Sequence, residues 1–215
     1  MRIMKKIVTL LIVLMALLVN SCDKINPPTI YEIKNENYGG PPPNNIFESI
    51  IFGEYEWIVL TKRDGRLLVI SKNILFEGAY HHTFTEITWA NSSLRHYLNN
   101  EFYNSFSSAD RGRILVVTNL NDGGNPTQDK IFLLSYNEVL LSFGFERLEY
   151  DKLNTEDHNS NRVATYAGDP HRWWQRTPGP GLRAPVVSSN GSINGGSYNV
   201  DDPNGGVRPA MWLKL

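Results

Sequence analysis

The chain has 215 residues, of which 41% are hydrophobic, 11% aromatic and 20% charged. That composition is enough for one domain with a real core, and it excludes a chain that is disordered throughout. The formal net charge is −1, so the chain as a whole has no excess of positive charge.

The N-terminus predicts export as a bacterial lipoprotein. A basic start is followed by an apolar run over residues 7–19, which is shorter than the roughly 20 residues needed to cross a membrane. Residues 19–22 read Val-Asn-Ser-Cys and resemble a lipobox, and Cys22 is the only cysteine. We expect residues 1–21 to be a signal peptide and Cys22 to be lipidated. The alternative is an ordinary secretory signal with a chance cysteine.

Two consequences follow from this export signal. Once Cys22 is lipidated, the mature domain has no thiol for a disulfide, a thiolate metal site or a cysteine nucleophile. The signal removes three of the 21 Lys and Arg residues and none of the 22 Asp and Glu residues, which brings the mature chain to about −4. That charge argues against a nucleic-acid partner.

Residues 22–45 predict a lipidated cysteine followed by a tether. The segment contains Pro27-Pro28, Gly39-Gly40 and a run of three prolines at residues 41–43, which favours an extended chain. Fully extended, it would reach roughly 70 Å. We expect a single globular domain over residues 46–215.

Apolar periodicity and turn residues predict an α+β domain with antiparallel sheets, two main helices and a loop-rich C-terminal half. Strands are predicted at 46–52, 55–61 and 67–71, with Asp64-Gly65 as a turn, and at 114–118 and 130–134. Helices are predicted at 91–106 and 137–143, and a long loop at 151–171. The first helix has an apolar stripe at every fourth position, formed by Leu94, Leu98, Phe102 and Phe106. Four strands that form a C-terminal antiparallel sheet are predicted at 172–176, 184–188, 197–200 and 207–213. The N- and C-terminal strands can pair and close the domain.

Several segments taken together resemble a bacterial family, domain-of-unknown-function family 6273. They are Phe52-Gly53, residues 56–60, Thr88-Trp89, residues 93–99, Phe102-Tyr103, Phe106, residues 129–135, residues 173–179 and residues 206–213. The similarity runs in family order from about residue 46 to the end of the chain. It implies a C-type-lectin-like fold, related to sulfatase-modifying factors and bacterial variable binding proteins. The main departure is Gln175, where the family usually has leucine.

The candidate ligand-binding residues lie in the C-terminal half. On a strand, Trp173 and Trp174 point to opposite faces, so one indole can stack on a sugar while the other is core. Alternatively, both are packed under the long loop, which large aromatic residues favour. Arg176 and Arg208 can bind an anion in bidentate fashion. Their neighbouring prolines and glycines favour instead that they pin loop carbonyl groups to the sheet.

A metal site is a minor alternative. Residues 201–204, which include Asp202 and Asn204, faintly resemble the calcium loop of animal lectins, but a plain turn explains them equally well. Five histidines show no repeated zinc spacing, and we expect no cofactor. The histidines are His81, His82, His96, His158 and His171.

Three functions remain open. The favoured one is a lipid-anchored, non-catalytic envelope or surface domain that binds a glycan or a protein. The second is a structural or adhesive envelope subunit. The third is a carboxylate-based hydrolase, for which the only support is an acidic region, more simply explained as a solvated loop. Its members are Glu146, Glu149, Asp151, Glu156 and Asp157. The oxidase chemistry of the sulfatase-modifying factors needs cysteines and is excluded.

Overall fold

The computed structural model describes residues 47–143, 160–193 and 196–215. Helices and antiparallel sheets are mixed along the chain, so the domain belongs to the predicted α+β class. The strands are β1 Ser49–Phe52, β2 Tyr55–Arg63, β3 Arg66–Ser71, β4 Phe76–Glu77, β5 Val117–Asn119, β6 Thr127–Asp129, β7 Ala164–Tyr166, β8 Asp169–His171, β9 Trp173–Trp174, β10 Arg183–Val187, β11 Ser197–Asn199, β12 Gly206–Val207 and β13 Ala210–Lys214.

The first sheet has the order β1-β2-β3-β13, and all of its pairs are antiparallel. Asp64 and Gly65 form the β2–β3 turn with φ angles of +49° and +70°, as their sequence predicted. The last strand pairs with β3, the third strand of the N-terminal meander, rather than with β1. The two ends of the fold are therefore joined in one sheet, as expected.

The second sheet differs from the sequence prediction. Its order is β11-β10-β9-β12-β4. Four of these strands come from the predicted C-terminal group, but only β9, β10 and β11 pair with one another in antiparallel fashion. The predicted strand at 207–213 is split at Arg208-Pro209, where β12 ends. The β12 strand runs parallel to β9 and antiparallel to β4. Because proline cannot donate to a ladder, the chain leaves one sheet here and joins the other as β13.

Helix α1 covers residues 93–105 and runs as Ser93–Tyr97 in α geometry, Leu98–Phe102 in π geometry and Tyr103–Ser105 in α geometry. A single 3-10 turn, Trp89–Asn91, precedes it, and the Ser92 hydroxyl caps it by accepting from Arg95 N at 3.1 Å. The predicted stripe of four apolar residues is buried: Leu94, Leu98, Phe102 and Phe106. Helices α2, Ser108–Arg111, and α3, Tyr136–Ser142, follow.

Two predictions on short elements were wrong. Residues 130–134 form no strand apart from one bridge between Phe132 and Ala210. The segment does not form a longer strand because two of its backbone donors bind a side chain instead. The Asn99 side-chain oxygen accepts from Lys130 N at 2.7 Å and from Ile131 N at 3.3 Å. For the predicted loop at 151–171, residues 151–159 lie outside the described residues. Its remainder contains the β7–β8 hairpin, which turns at Ala167 with a φ angle of +52°.

One apolar core joins both sheets and the helices. Four of the five tryptophans, Trp57, Trp89, Trp173 and Trp174, are completely buried within it. All of the described strands and helices lie within residues 49–214, so a chain that starts at residue 23 retains every one of them.

Candidate functional site

Both tryptophans of β9 are buried, as in the alternative that large aromatic residues favoured, and the hypothesis of one exposed indole was wrong. Alternation does place them on opposite faces of the sheet, but both faces are covered. Trp173 donates from Nε1 to the carbonyl oxygen of Arg162 at 3.0 Å, and Trp174 donates to that of Gly78 at 2.8 Å. With no exposed ring and both N–H groups satisfied, neither residue offers a surface on which a sugar could stack.

The loop that contains Gly205 packs directly on the Trp174 indole, and this close contact requires a glycine. A β-carbon at this position would overlap the Trp174 indole at its Nε1, Cε2 and Cζ2 atoms. The Gly205 carbonyl oxygen also accepts from Gly78 N at 2.9 Å, which ties the loop before β12 to the segment after β4. In the sequence Asn204-Gly205-Gly206, the glycine at position 205 is therefore required by packing against Trp174.

Arg176 is part of the internal frame. Its Nη2 donates to Glu138 Oε1 at 2.7 Å and its Nη1 to the carbonyl oxygen of Leu133 at 3.2 Å, and 2% of the residue is exposed. The other Glu138 oxygen accepts from Ser135 N at 2.6 Å and completes the capping box of α3. Arg176 thus holds the start of α3 against the segment directly after β9, and it is not placed to bind an external anion.

Arg208 is fully buried and also binds carbonyl groups. Its Nε donates to Ser71 O at 2.9 Å and its Nη2 to Lys72 O at 3.1 Å, and the guanidinium lies 5.1 Å from the centre of the Trp173 ring. Burial lowers the pKa of Arg208 to about 9. The structure therefore gives both arginines the carbonyl-pinning role that their Pro and Gly neighbours favoured.

Gln175 precedes Arg176 in the sequence and is also fully buried. Its backbone N–H donates to Pro185 O at 3.0 Å and extends the β9–β10 ladder. Its side chain is completely buried, and within the described part of the chain neither Oε1 nor Nε2 has a hydrogen-bond partner. Burying an amide without partners lowers the stability of a fold, so the departure from leucine in the resemblance has a physical consequence.

Asp202 and Asn204 form a turn rather than an open metal site. Asp202 Oδ1 accepts from the backbone N–H of Asn204 at 2.9 Å, and Asp202 Oδ2 accepts from Arg172 Nη2 at 2.7 Å. A guanidinium therefore already neutralises the carboxylate, which disfavours calcium at this position. Within the described ranges, no group of three or more His, Cys, Asp or Glu side chains is arranged to hold a metal ion.

Beside this turn, the structure builds a surface that the sequence analysis missed. The Arg172 guanidinium lies 4.2 Å from the centre of the Tyr198 ring, and Tyr198 is 39% exposed on the edge strand β11. His171 Nε2 lies 2.8 Å from Asn204 O and 3.2 Å from Glu77 Oε1, which fastens the turn to β4. We call Arg172, Tyr198 and Asp202 the loop site. In the sequence, the one signal for an exposed Tyr198 is that its neighbours on the predicted strand, Ser197 and Asn199, are polar.

A second missed cluster is internal. The buried Asp129 carboxylate accepts from four side chains at 2.6 to 3.0 Å, and it joins α1 to the β5–β6 hairpin. The donors are Trp89, Arg95, Asn119 and Thr127. Trp89 and Arg95 belong to two neighbouring segments of the family resemblance and Asp129 begins a later one, so these hydrogen bonds connect segments that are far apart in the sequence.

Cys22, the tether and the acidic residues at 146–157 lie outside the described residues. Among the residues that the structure covers, no helix is long and apolar enough to cross a membrane.

Comparison with known proteins gives a family but no function. The family model described as "Domain of unknown function (DUF6273)" matches residues 64–215, so β1 and the whole of β2 precede the matched range. No curated protein and no solved structure matches the chain. Because the match covers well over half of the sequence, the chain belongs to the DUF6273 family.

Proposed function

We propose that this chain is an exported bacterial lipoprotein, anchored through Cys22, whose domain binds a glycan or protein of the cell envelope without chemical turnover. The anchor is supported by the basic start, the short apolar run and the Val-Asn-Ser-Cys ending, with the only cysteine at the cleavage point. The proposed fold relationship is to C-type-lectin-like domains. It is supported by the pairing of β13 within the N-terminal sheet and by the irregular second half.

The observation that carries the binding role is that contacts within the loop site hold its side chains in place. The Arg172 guanidinium is held by Asp202 at 2.7 Å while it stacks on Tyr198, and Asp202 is held in turn by Asn204 N. A rigid aromatic ring beside fixed polar groups loses little entropy on binding. The exposed part of the ring can contact apolar C–H groups while the guanidinium and the carboxylate contact hydroxyl or amide groups.

The proposal that the domain catalyses no reaction is supported by the contacts of two buried carboxylates in the described part of the chain. Asp129 is bound by four donors, and Glu138 is bound by Arg176 and by the start of α3. A general acid or base must reach a substrate, and these carboxylates are enclosed by their own partners. They support a structural role for the described buried carboxylates.

The structural-subunit alternative has one observation of its own. On the β5–β6 hairpin, Val116 and Leu120 are 51% and 48% exposed on either side of Thr118. Such a face can pack against a second protein. If this alternative holds, Val116→Ser with Leu120→Ser will abolish a defined assembly on size-exclusion chromatography, whereas Tyr198→Ala will leave it intact.

The binding proposal is tested with residues 23–215 on an array of glycans and envelope polysaccharides, followed by a pull-down from envelope extract. We expect specific retention that Tyr198→Ala abolishes. Tyr97→Ala is the matched control, because Tyr97 is 40% exposed but lies on α1, outside the loop site. A blank from folded protein in both assays, or equal loss in both variants, would overturn the binding role of this site.

A further inference from the structure

Five positive residues lie at one end of the first sheet, where Lys62 points to the opposite face from its neighbour Arg63. Arg63 is the cross-strand partner of Arg66, and Arg66 is the partner of Lys214. Lys214 N then donates to Arg113 O at 2.8 Å, and Lys62 precedes Arg63 in β2. We call these residues the basic end. With neighbouring strands about 4.8 Å apart, the row from Arg63 to Arg113 spans on the order of 15 Å.

This arrangement is unfavourable for the fold by itself. Directly opposed residues of an antiparallel pair point to the same face, so Arg63, Arg66 and Lys214 form a like-charged ladder. Like charges opposite each other destabilise a sheet. Since the exposed ends of strands accept many polar residues, the ladder is better explained by an anionic partner than by a need of the fold.

Nearby acidic groups neutralise the basic end only in part. Lys62 pairs with Glu48 at 2.6 Å, and both side chains are more than half exposed. Arg63 pairs with its neighbour Asp64 at 3.2 Å. Arg66 and Lys214 make no ion pair with a side chain in the described part of the chain, whereas Lys62 and Arg63 each have one acidic partner. Exposed pairs of this kind contribute little binding energy and exchange readily for another anion.

The basic end lies where the tether enters the domain. Glu48, at the start of the described chain, accepts from Val59 N through its carbonyl oxygen and contacts Lys62 through its carboxylate. Cys22 precedes this point by 26 residues of sequence. A lipid attached there would keep the basic end within reach of the headgroups of the same membrane.

We propose that the basic end docks the domain on an anionic lipid surface. Each Lys or Arg near such a surface adds a modest attraction, and one lipid chain combined with a basic patch holds a protein far better than either alone. Docking there would place the β2–β3 turn against the headgroups and fix which way the loop site faces. The inference relies on the proposed anchoring only for its cellular setting, because the patch itself can be tested without the lipid.

The test is sedimentation of unlipidated residues 23–215 with vesicles of phosphatidylglycerol and phosphatidylcholine, compared with phosphatidylcholine alone. The decisive variant is Lys214→Glu. Arg183→Glu is its matched control, because Arg183 is also an exposed strand cation without a salt bridge, but it lies in the other sheet. Thermal unfolding of both variants verifies that they remain folded.

We expect the parent chain to bind only the anionic vesicles and to be released by salt. Lys214→Glu should weaken that binding on the order of ten-fold, while Arg183→Glu leaves it within about two-fold. Absence of vesicle binding at low salt, equal losses in the two variants, or binding to acidic polysaccharide but not to vesicles would each overturn the proposal. Because this chain carries no lipid, such a failure is separate from any failure of lipidation at Cys22.

Discussion

Replacement of Gln175 by leucine is expected to stabilise the domain, although it removes a polar residue. The side chain is fully buried, and both of its amide atoms lack partners within the described part of the chain. Each buried polar group left without a partner costs about 1–3 kcal/mol. Leucine is similar in size and removes both groups, so after allowance for imperfect packing we expect a gain of about 2 kcal/mol in the free energy of unfolding. For a domain of this size, that corresponds to a rise in Tm of about 4–8 °C.

The assay is thermal and urea unfolding of residues 23–215, followed by circular dichroism. Gln128→Leu is the matched control, because Gln128 is exposed and its Nε2 already donates to Thr118. We expect that control to stay within about 0.5 kcal/mol of the parent. Gln175→Glu should lower stability, since it buries a charge. If Gln175→Leu leaves Tm unchanged or lowers it, the amide is satisfied in solution and the reasoning is refuted.

The other predictions concern packing, a buried carboxylate and pH. Gly205→Ala should destabilise by about 3 kcal/mol or prevent folding, because the new methyl group overlaps Trp174, and urea unfolding measures the loss. Asp129→Ala should cost about 3–5 kcal/mol in the same assay by leaving four donors unpaired, and a loss under 1 kcal/mol would contradict the assigned contacts. Burial lowers the pKa of His81, whose Nδ1 accepts from Ser93 N, so the unfolded chain binds its proton more readily. Stability should therefore fall as pH drops below about 6.5, and His81→Asn should flatten that slope in unfolding measured between pH 5 and 7.

The regular elements followed from local patterns. The i+4 apolar stripe of α1 and the Asp64-Gly65 turn depend on near neighbours, and the structure confirms both. The strand predicted at 130–134 was wrong because the side chain of Asn99, about 30 residues away, takes the backbone donors. No periodicity of the segment itself contains that information.

The candidate site was less predictable, for a related reason. Alternation gives the direction of Trp173 and Trp174 relative to β9, but not what covers each face. That cover is supplied by the glycine-containing loop on one side and the buried arginine on the other. The exposure of Tyr198 likewise depends on β11 being an edge strand, which is a property of sheet order.

The central claim is that the chain is cleaved before Cys22 and anchored by a lipid on that residue. The most direct measurement is the intact mass and N-terminal peptide mass of the protein purified from bacterial membranes. The account predicts a chain that begins at Cys22 and carries acyl groups, together with release of Cys22→Ala into the soluble fraction. An unmodified Cys22, an N-terminus elsewhere, or retention of Cys22→Ala in the membrane fraction through another segment would contradict it.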